Sequence, residues 1–300
     1  MTAIQNHNYA SPLRYPGGKG ALASFMKLVV AENGLLDGDY VEVYAGGAGI
    51  AWSLLFEEYV HRLHVNDLNA PLMAFWRSVL ENTDELCRLI CDTPVTLEEW
   101  QRQRAIQQQP QHHTTLEVGF STFFLNRVNR SGIISGGVIG GKAQSGPWKI
   151  DARFHKQDLI QRIQRIGRYA SRIRLYNLDA ASFIETVVPV LPQKTLIYLD
   201  PPYFNKSQKL YENHYQHGDH AHIAALVSHH LPQPWIVSYD ATPEILDLYK
   251  EHPHIRYGIN YSAQDRYRGS EVIFYSGYLH LSEIENPRAI KLPRFMRPLF

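Results

Sequence analysis

Cysteine is nearly missing from this chain. Two occur in 300 residues, Cys87 and Cys91, which excludes a disulfide framework and asks for no oxidising compartment. Their spacing places both on one helix face, where they read as core rather than as ligands or redox partners. Long apolar runs are absent too. No stretch approaches the roughly 20 residues of a transmembrane helix, and the opening MTAIQNHNYASPLRYPGGKG has neither the basic flank nor the apolar core of a signal peptide. A cytoplasmic protein is expected. Net charge is the third absence: 30 basic residues stand against 29 acidic ones, for +1, so the chain as a whole is no general polyanion binder.

The near-neutral total hides an uneven distribution. Residues 1–94 hold 6 basic and 11 acidic side chains, residues 95–178 hold 13 and 5, and residues 179–300 hold 11 and 13. One strongly basic block between two acidic ones predicts a local surface for phosphates.

Hydrophobic patterning follows the same division. In the first block, a helix over 19–32, the short β-rich run YVEVYA (40–45), a helix from about 48 to 59, a strand ending in HVND (64–67) and a long helix from Pro71 open a doubly wound parallel sheet. Residues 95–178 break the alternation. They contain a helix capped by Thr96 and Glu99, a second over Thr115 to Val128, a glycine- and serine-rich stretch (131–148) and a basic helix from Phe154 to Tyr169, and they predict a small, mainly helical inserted domain. Strand and helix alternation resumes near Ile173. The continuous apolar run TLIYLD (195–200) predicts a strand buried on both faces. Later come a helix (219–230), the strand WIVSYD (235–240), a helix (243–250) and two strand-like segments, IRYGINYS and EVIFYSGYL, suited to an antiparallel edge hairpin.

Three strings carry chemistry. Asp200-Pro201-Pro202-Tyr203 follows the buried strand at its carboxyl end, where open α/β sheets place ligands. A ring-conjugated amine is a poor nucleophile, and a site that methylates it gains by accepting both of its hydrogens. A carboxylate at Asp200 and a carbonyl at Pro201, stiffened by two prolines, supply those acceptors, and Tyr203 offers an aromatic face for an extruded base. Glu42-Val43-Tyr44-Ala45-Gly46-Gly47-Ala48-Gly49 ends a strand and starts a helix, so glycine there allows close ligand approach. Asp67, at the end of the next strand, suits ribose hydroxyls or the cap of the following helix. Arg14-Tyr15-Pro16-Gly17-Gly18-Lys19 opens the first helix; Lys19 suits a carboxylate or phosphate and Tyr15 a cationic sulfonium or an adenine ring. It lacks P-loop spacing, which excludes nucleoside triphosphate hydrolysis. His217, His220 and His222 lack the framework of a metal site.

The ordered series RYPGGKG, EVYAGGAG, VNDLN, basic insert and LDPPYF resembles the Dam-like family of DNA adenine methyltransferases over nearly the whole chain. The resemblance implies a Rossmann-like methyltransferase domain (1–94 and 179–300) interrupted by a target-recognition insert (95–178), with S-adenosylmethionine as methyl donor and a flipped adenine in double-stranded DNA as acceptor. It implies catalysis by Asp200, Pro201, Pro202 and Tyr203, and cofactor contacts from Tyr15, Gly17, Lys19, Tyr44, Gly46, Asp67 and Asp179. Two departures stand out: Val43 occupies a position where proline is common, and Ala180 follows Asp179 where an aromatic is common, which shifts the expected adenine cover to Phe183.

Within the insert, FLNRVNRSGIISGG resembles the family's DNA-contacting stretch. It nominates Asn126, Arg127, Arg130 and Ser131, with Lys142 and Gln144 on a groove-entering hairpin and Arg266 and Arg268 as a second contact. A monomer is expected, with a cognate restriction endonuclease as one possible partner. Two rivals stay open at this level: a cytosine exocyclic-amine methyltransferase, and a catalytically silent DNA-binding regulator on the same fold.

Overall fold

A computed structural model describes residues 10–15, 18–204, 215–260, 268–281 and 284–292. Seven strands make one sheet: β1 (Gly38–Glu42), β2 (Val60–Asn66), β3 (Ile173–Tyr176), β4 (Thr195–Leu199), β5 (Trp235–Asp240), β6 (His254–Asn260) and β7 (Arg268–Tyr275). Their order is β3-β2-β1-β4-β5-β7-β6. The first five are mutually parallel, and β7 runs antiparallel to both β5 and β6. The last two strands are thus the edge hairpin read from the sequence. β1, β4 and β5 are buried along their whole lengths, as central strands are when helices cover both faces, although β1 and β5 bury polar side chains among them: Asp39, Glu42, Ser238 and Asp240. The chain leaves β1 towards β2 and returns on its other side at β4, so the loops after β1 and β4 diverge and open a crevice at the switch point.

Helices α1 (Ala23–Glu32), α2 (Gly49–Phe56) and α3 (Ala70–Glu81) cover one face. The long helix expected from Pro71 is two: α3 stops at Asn82, and α4 (Thr83–Asp92) starts afresh. The run Asn82-Thr83-Asp84 explains the break, because such side chains favour helix caps over interiors. On α4, Cys87 is buried and Cys91 exposed, which corrects the placement of both in the core. The face that α4 buries runs through Leu86, Cys87 and Ile90, and Cys91 falls outside it. On the opposite face, α8 (Ala180–Thr186), α9 (His217–His230) and α10 (Pro243–Leu248) bury Phe183, Ile223, Val227 and Ile245 against Val41, Ile197 and Val237.

The basic block supplies α5 (Leu97–Gln108), α6 (Thr115–Val128) and α7 (Lys156–Gly167). Thr96 caps α5, and Thr114 with Glu117 forms a full capping box on α6. These helices have no core of their own. Trp100, Phe123, Phe124, Phe154 and Ile163 join the cluster of Phe75 and Trp76, and Phe123 stacks on Phe75 with ring centres 5.6 Å apart. Gly119 lets α6 approach α3 closely: a Cβ there would lie 2.7 Å from the Ala74 carbonyl. The sheet takes the chain back at Ile173, the first residue of β3. The groove-entering hairpin is also corrected. Residues 131–148 fold as successive turns with a single bridge, Asn129 to Val138, because left-handed residues at Ser131, Gly132, Gly140, Gly141 and Gln144 keep interrupting any ladder.

Candidate active site

A cavity of about 940 Å³ opens in the crevice beyond the ends of β1, β2 and β4, near the upper end of the range for small-molecule sites, about 300–1,000 Å³. Tyr15, Lys19, Tyr44, Asp67, Asp179, Asp200 and Pro202 line it. The three strings, far apart in sequence, therefore meet. Gly17 lies outside the described residues.

Three loops build the cofactor side. Gly46 has φ +49°, and a Cβ there would strike the Tyr15 ring at 2.6 Å, so only glycine lets Tyr15 lie across the turn. Asp67 holds that turn: one carboxylate oxygen accepts the Gly46 N–H (2.9 Å) and the other the Asn69 N–H (2.9 Å). Trp76 Nε1 donates to the Gly46 carbonyl from below. The cap of α3 is Asn69, not Asp67, which leaves the Asp67 carboxylate facing the cavity with lone pairs to spare. Burial pushes its pKa up, against the two backbone donors. Asn66 ties the strand ends together through Val43 and Leu178. Asp179 caps α8 through the Ala181 N–H and lines the far wall. Tyr44 meets Tyr215, hydroxyl to hydroxyl, at 2.8 Å. Phe183 is corrected: it is fully buried between α8 and the sheet, edge-on to Tyr176, and not part of the lining. Asp179 is the N-cap, outside the helix and with non-helical backbone, whereas Phe183 lies one turn in, on the face that α8 packs against the sheet.

On the acceptor side, Asp200 Oδ1 accepts Ser238 Oγ at 2.7 Å and faces Lys19 Nζ at 3.3 Å. Burial raises the pKa of Asp200, while Lys19 and Ser238 pull it down. Lys19 also reaches Glu271 Oε1 at 3.0 Å and donates to the Tyr203 hydroxyl, which itself donates to Glu271. Burial alone would lower the Lys19 pKa, but the two carboxylates outweigh it and hold the ammonium charged. Pro201 is buried, between Asp200 and Pro202 in the chain, both of which line the cavity. Tyr203 is 8% exposed and outside the lining, so this arrangement presents its hydroxyl to Lys19 and Glu271 rather than a ring face to a base. Glu271 and Ser238 escaped the sequence reading. Their only signal is a polar side chain inside the apolar runs EVIFY and WIVSY.

Part of the cavity wall is mainly basic. Arg14, Arg127, Arg153, His155 and Arg162 line it with Ser131 and one acid, Asp158, which pairs with Arg162 at 2.8 Å, and Arg130 and Lys142 are exposed. Arg127 donates to the carbonyls of Arg153 and Pro12; burial and neighbouring arginines lower its pKa to about 10, which keeps it charged at neutral pH. Two expected DNA contacts are corrected. Asn126 is 3% exposed and spends its amide on the backbone of Arg14 and Gly132. Gln144 folds back on Ile139, Gly141 and Ile150 of its own loop. Arg266 and the side chain of Arg268 lie outside the described residues. Arg14, Arg153 and Arg162 were missed because nothing local marks an arginine that only the fold brings to the wall. Among the histidines noted above, His220 is buried, with Nδ1 2.9 Å from the Tyr239 hydroxyl.

Residues 15–262 match the family described as D12 class N6 adenine-specific DNA methyltransferase. The chain is 23% identical over 274 residues to the retron Ec67 DNA adenine methylase of Escherichia coli, covering 88% of this chain and 90% of that relative. Among solved structures it is similar to an rRNA methyltransferase of Streptomyces viridochromogenes, with a TM-score of 0.39 and 13% identity over 87% of this chain and 86% of the other.

Proposed function

Because the chain belongs to the D12 class of N6 adenine-specific DNA methyltransferases, we propose that it moves the methyl group of S-adenosylmethionine to the exocyclic amine of an adenine turned out of double-stranded DNA. The observation that carries this reading is the meeting of Asp200 and Lys19 beside the glycine turn, in one cavity with a mainly basic stretch of wall. The residues fit the cofactor. Asp67 and Asp179 offer acceptors for hydroxyl and amine groups, Tyr15 and the glycine turn offer an apolar wall, and the cavity is large enough. When bound, the cofactor supplies an electrophilic methyl group on a cationic sulfur.

The chain's own residues do the rest. Ser238 and Lys19 both hold Asp200 Oδ1, which leaves Oδ2 to accept a hydrogen of the adenine amine. With the Pro201 carbonyl taking the other hydrogen, the nitrogen lone pair is released from the ring and turned towards the methyl group. Proline at 201 and 202 stiffens this acceptor pair. Arg14, Arg153, Arg162, Arg130 and Lys142 hold the phosphates around the extruded nucleotide. The cofactor cavity, the acid and the basic wall all come from one chain, which supports action as a monomer.

The test is transfer of labelled methyl from S-adenosylmethionine to duplex DNA by the purified chain, followed by nucleoside analysis. Label in N6-methyladenine is expected. Label in cytosine, or DNA binding without transfer, overturns the reading.

A further inference from the structure

We infer that Glu271, which lies outside the cavity, sets the charge that the cavity presents to the cofactor's sulfonium, acting through Lys19 as a positioning residue. The inference rests on the cofactor reading above and goes beyond it.

Glu271 sits on β7 opposite Asp240, level with the carboxyl end of β5. Its side chain is buried, and every oxygen is engaged: Oε1 takes Lys19 and the Tyr203 hydroxyl, and Oε2 takes the Tyr257 hydroxyl at 2.7 Å. Burial alone would raise its pKa, but Lys19 and the two tyrosines outweigh it and hold the carboxyl ionised. Lys19 is thus shared between two carboxylates, the nearer being Glu271 at 3.0 Å and the farther Asp200 at 3.3 Å.

One lysine and one aspartate would already make a neutral buried pair. Adding a second buried acid costs desolvation and needs a reason, since neutral side chains can hold an ammonium by hydrogen bonding alone. The consequence of Glu271 is arithmetic: Asp200, Lys19 and Glu271 together carry one net negative charge, and the lysine is drawn away from cancelling Asp200.

That charge matches the reaction. The electron pair of the broken S–C bond stays on sulfur, the lone pair of the amine nitrogen makes the new N–C bond, and the nitrogen then sheds one proton to water. Positive charge therefore starts on sulfur and passes to nitrogen. A cluster with net negative charge favours the site's cationic occupants; a neutral cluster does not.

Calorimetric affinities for S-adenosylmethionine and for its uncharged thioether, S-adenosylhomocysteine, test this in the full chain and in three variants. Glu271→Gln keeps the shape and removes the charge; it is expected to weaken sulfonium binding about fivefold to tenfold while thioether binding stays within about twofold. Glu271→Asp and Tyr257→Phe disturb the same cluster but keep its charge, and both are expected to retain the unaltered chain's affinity ratio. An unchanged ratio in Glu271→Gln, or equal weakening of both ligands, overturns the inference and leaves Glu271 a structural counterion. If Glu271→Gln does not fold, Glu271→Ala, which also removes the charge, is read by the same two outcomes, and a shifted ratio in Glu271→Asp or Tyr257→Phe overturns the inference. Binding of neither ligand by the unaltered chain overturns the cofactor reading itself, a distinct result.

Discussion

The side-chain amide of Asn126 pairs with the backbone of Arg14 as a neighbouring strand would. Oδ1 accepts the Arg14 N–H at 2.8 Å, and Nδ2 donates to the Arg14 carbonyl at 2.7 Å and to the Gly132 carbonyl at 2.9 Å. The basic block thereby fixes the segment that carries Tyr15 and Lys19 into the cavity. Asn126→Ala strands these partly buried backbone groups, and a loss of about 1–3 kcal/mol in urea unfolding is expected. Cofactor affinity should fall as well, by about tenfold, when titrated at a temperature where the variant remains folded.

A second prediction concerns the α3–α6 contact. Alanine is the better helix former by about 1 kcal/mol, so Gly119→Ala in an unconstrained helix would stabilise. Here its Cβ meets Ser78 Oγ and, at 2.7 Å, the Ala74 carbonyl. The serine can rotate; the backbone carbonyl cannot, and the helices must separate. A net destabilisation of about 1–3 kcal/mol is expected, read as a lower denaturation midpoint with an unchanged slope.

Much of this was legible beforehand, for a physical reason. Strand-forming runs such as TLIYL and WIVSYD are buried on both faces, so their composition betrays them, and the position of Asp200 at a strand's carboxyl end follows at once. The partners of Asp200 were not legible. Lys19 and Ser238 reach it from an N-terminal turn and from β5, and Glu271 on β7 holds Lys19 in turn; pairing across such distances leaves no local pattern. Asn126 and Gln144 show the converse error: an amide in a basic stretch reads as a base contact, yet in both cases the backbone takes its hydrogen-bonding capacity first.

Asp200→Ala should abolish methyl transfer; because it neutralises the same cluster as Glu271→Gln, it should also weaken S-adenosylmethionine binding by about fivefold to tenfold, a loss far too small to account for the lost turnover. The pH dependence of the unaltered chain has a definite sign. Burial, with Glu271 nearby, raises the Asp200 pKa, against Lys19 and Ser238. An acceptor carboxylate must be ionised, so turnover should decline on the acid side at a higher pH than an ordinary aspartate would give. Glu271→Gln removes a like charge and should move that acid limb to lower pH, measured as kcat over buffers of constant ionic strength.

The exposed pair Arg130 and Lys142 should act through phosphate charge. Replacing both with alanine is expected to weaken DNA binding at low salt and to reduce the slope of log affinity against log salt by about 2, roughly 0.9 for each lost phosphate contact. Arg127 is a poorer choice for this experiment. Its guanidinium supports the Arg153 and Pro12 carbonyls, so its removal would mix a folding defect with a binding one. An unchanged slope in the double variant would place the DNA on another surface.

Glu42 makes the last prediction, on stability. It is buried at the end of β1, where Oε1 accepts the Ala51 N–H at 3.0 Å and the Tyr40 hydroxyl at 3.3 Å. Burial raises its pKa to about 8, although the Ala51 donor opposes the shift. The unfolded chain releases this proton near 4.5, whereas the folded chain keeps it until about 8. Between those values the folded state binds more protons, so its stability falls as pH rises through the window and levels off above it. Glu42→Gln keeps an oxygen for both donors and has nothing to titrate. Its stability should change less between pH 5 and about pH 8, and at the upper end it should exceed the unaltered chain by up to about 4 kcal/mol. Urea unfolding across that range checks both the sign and the window.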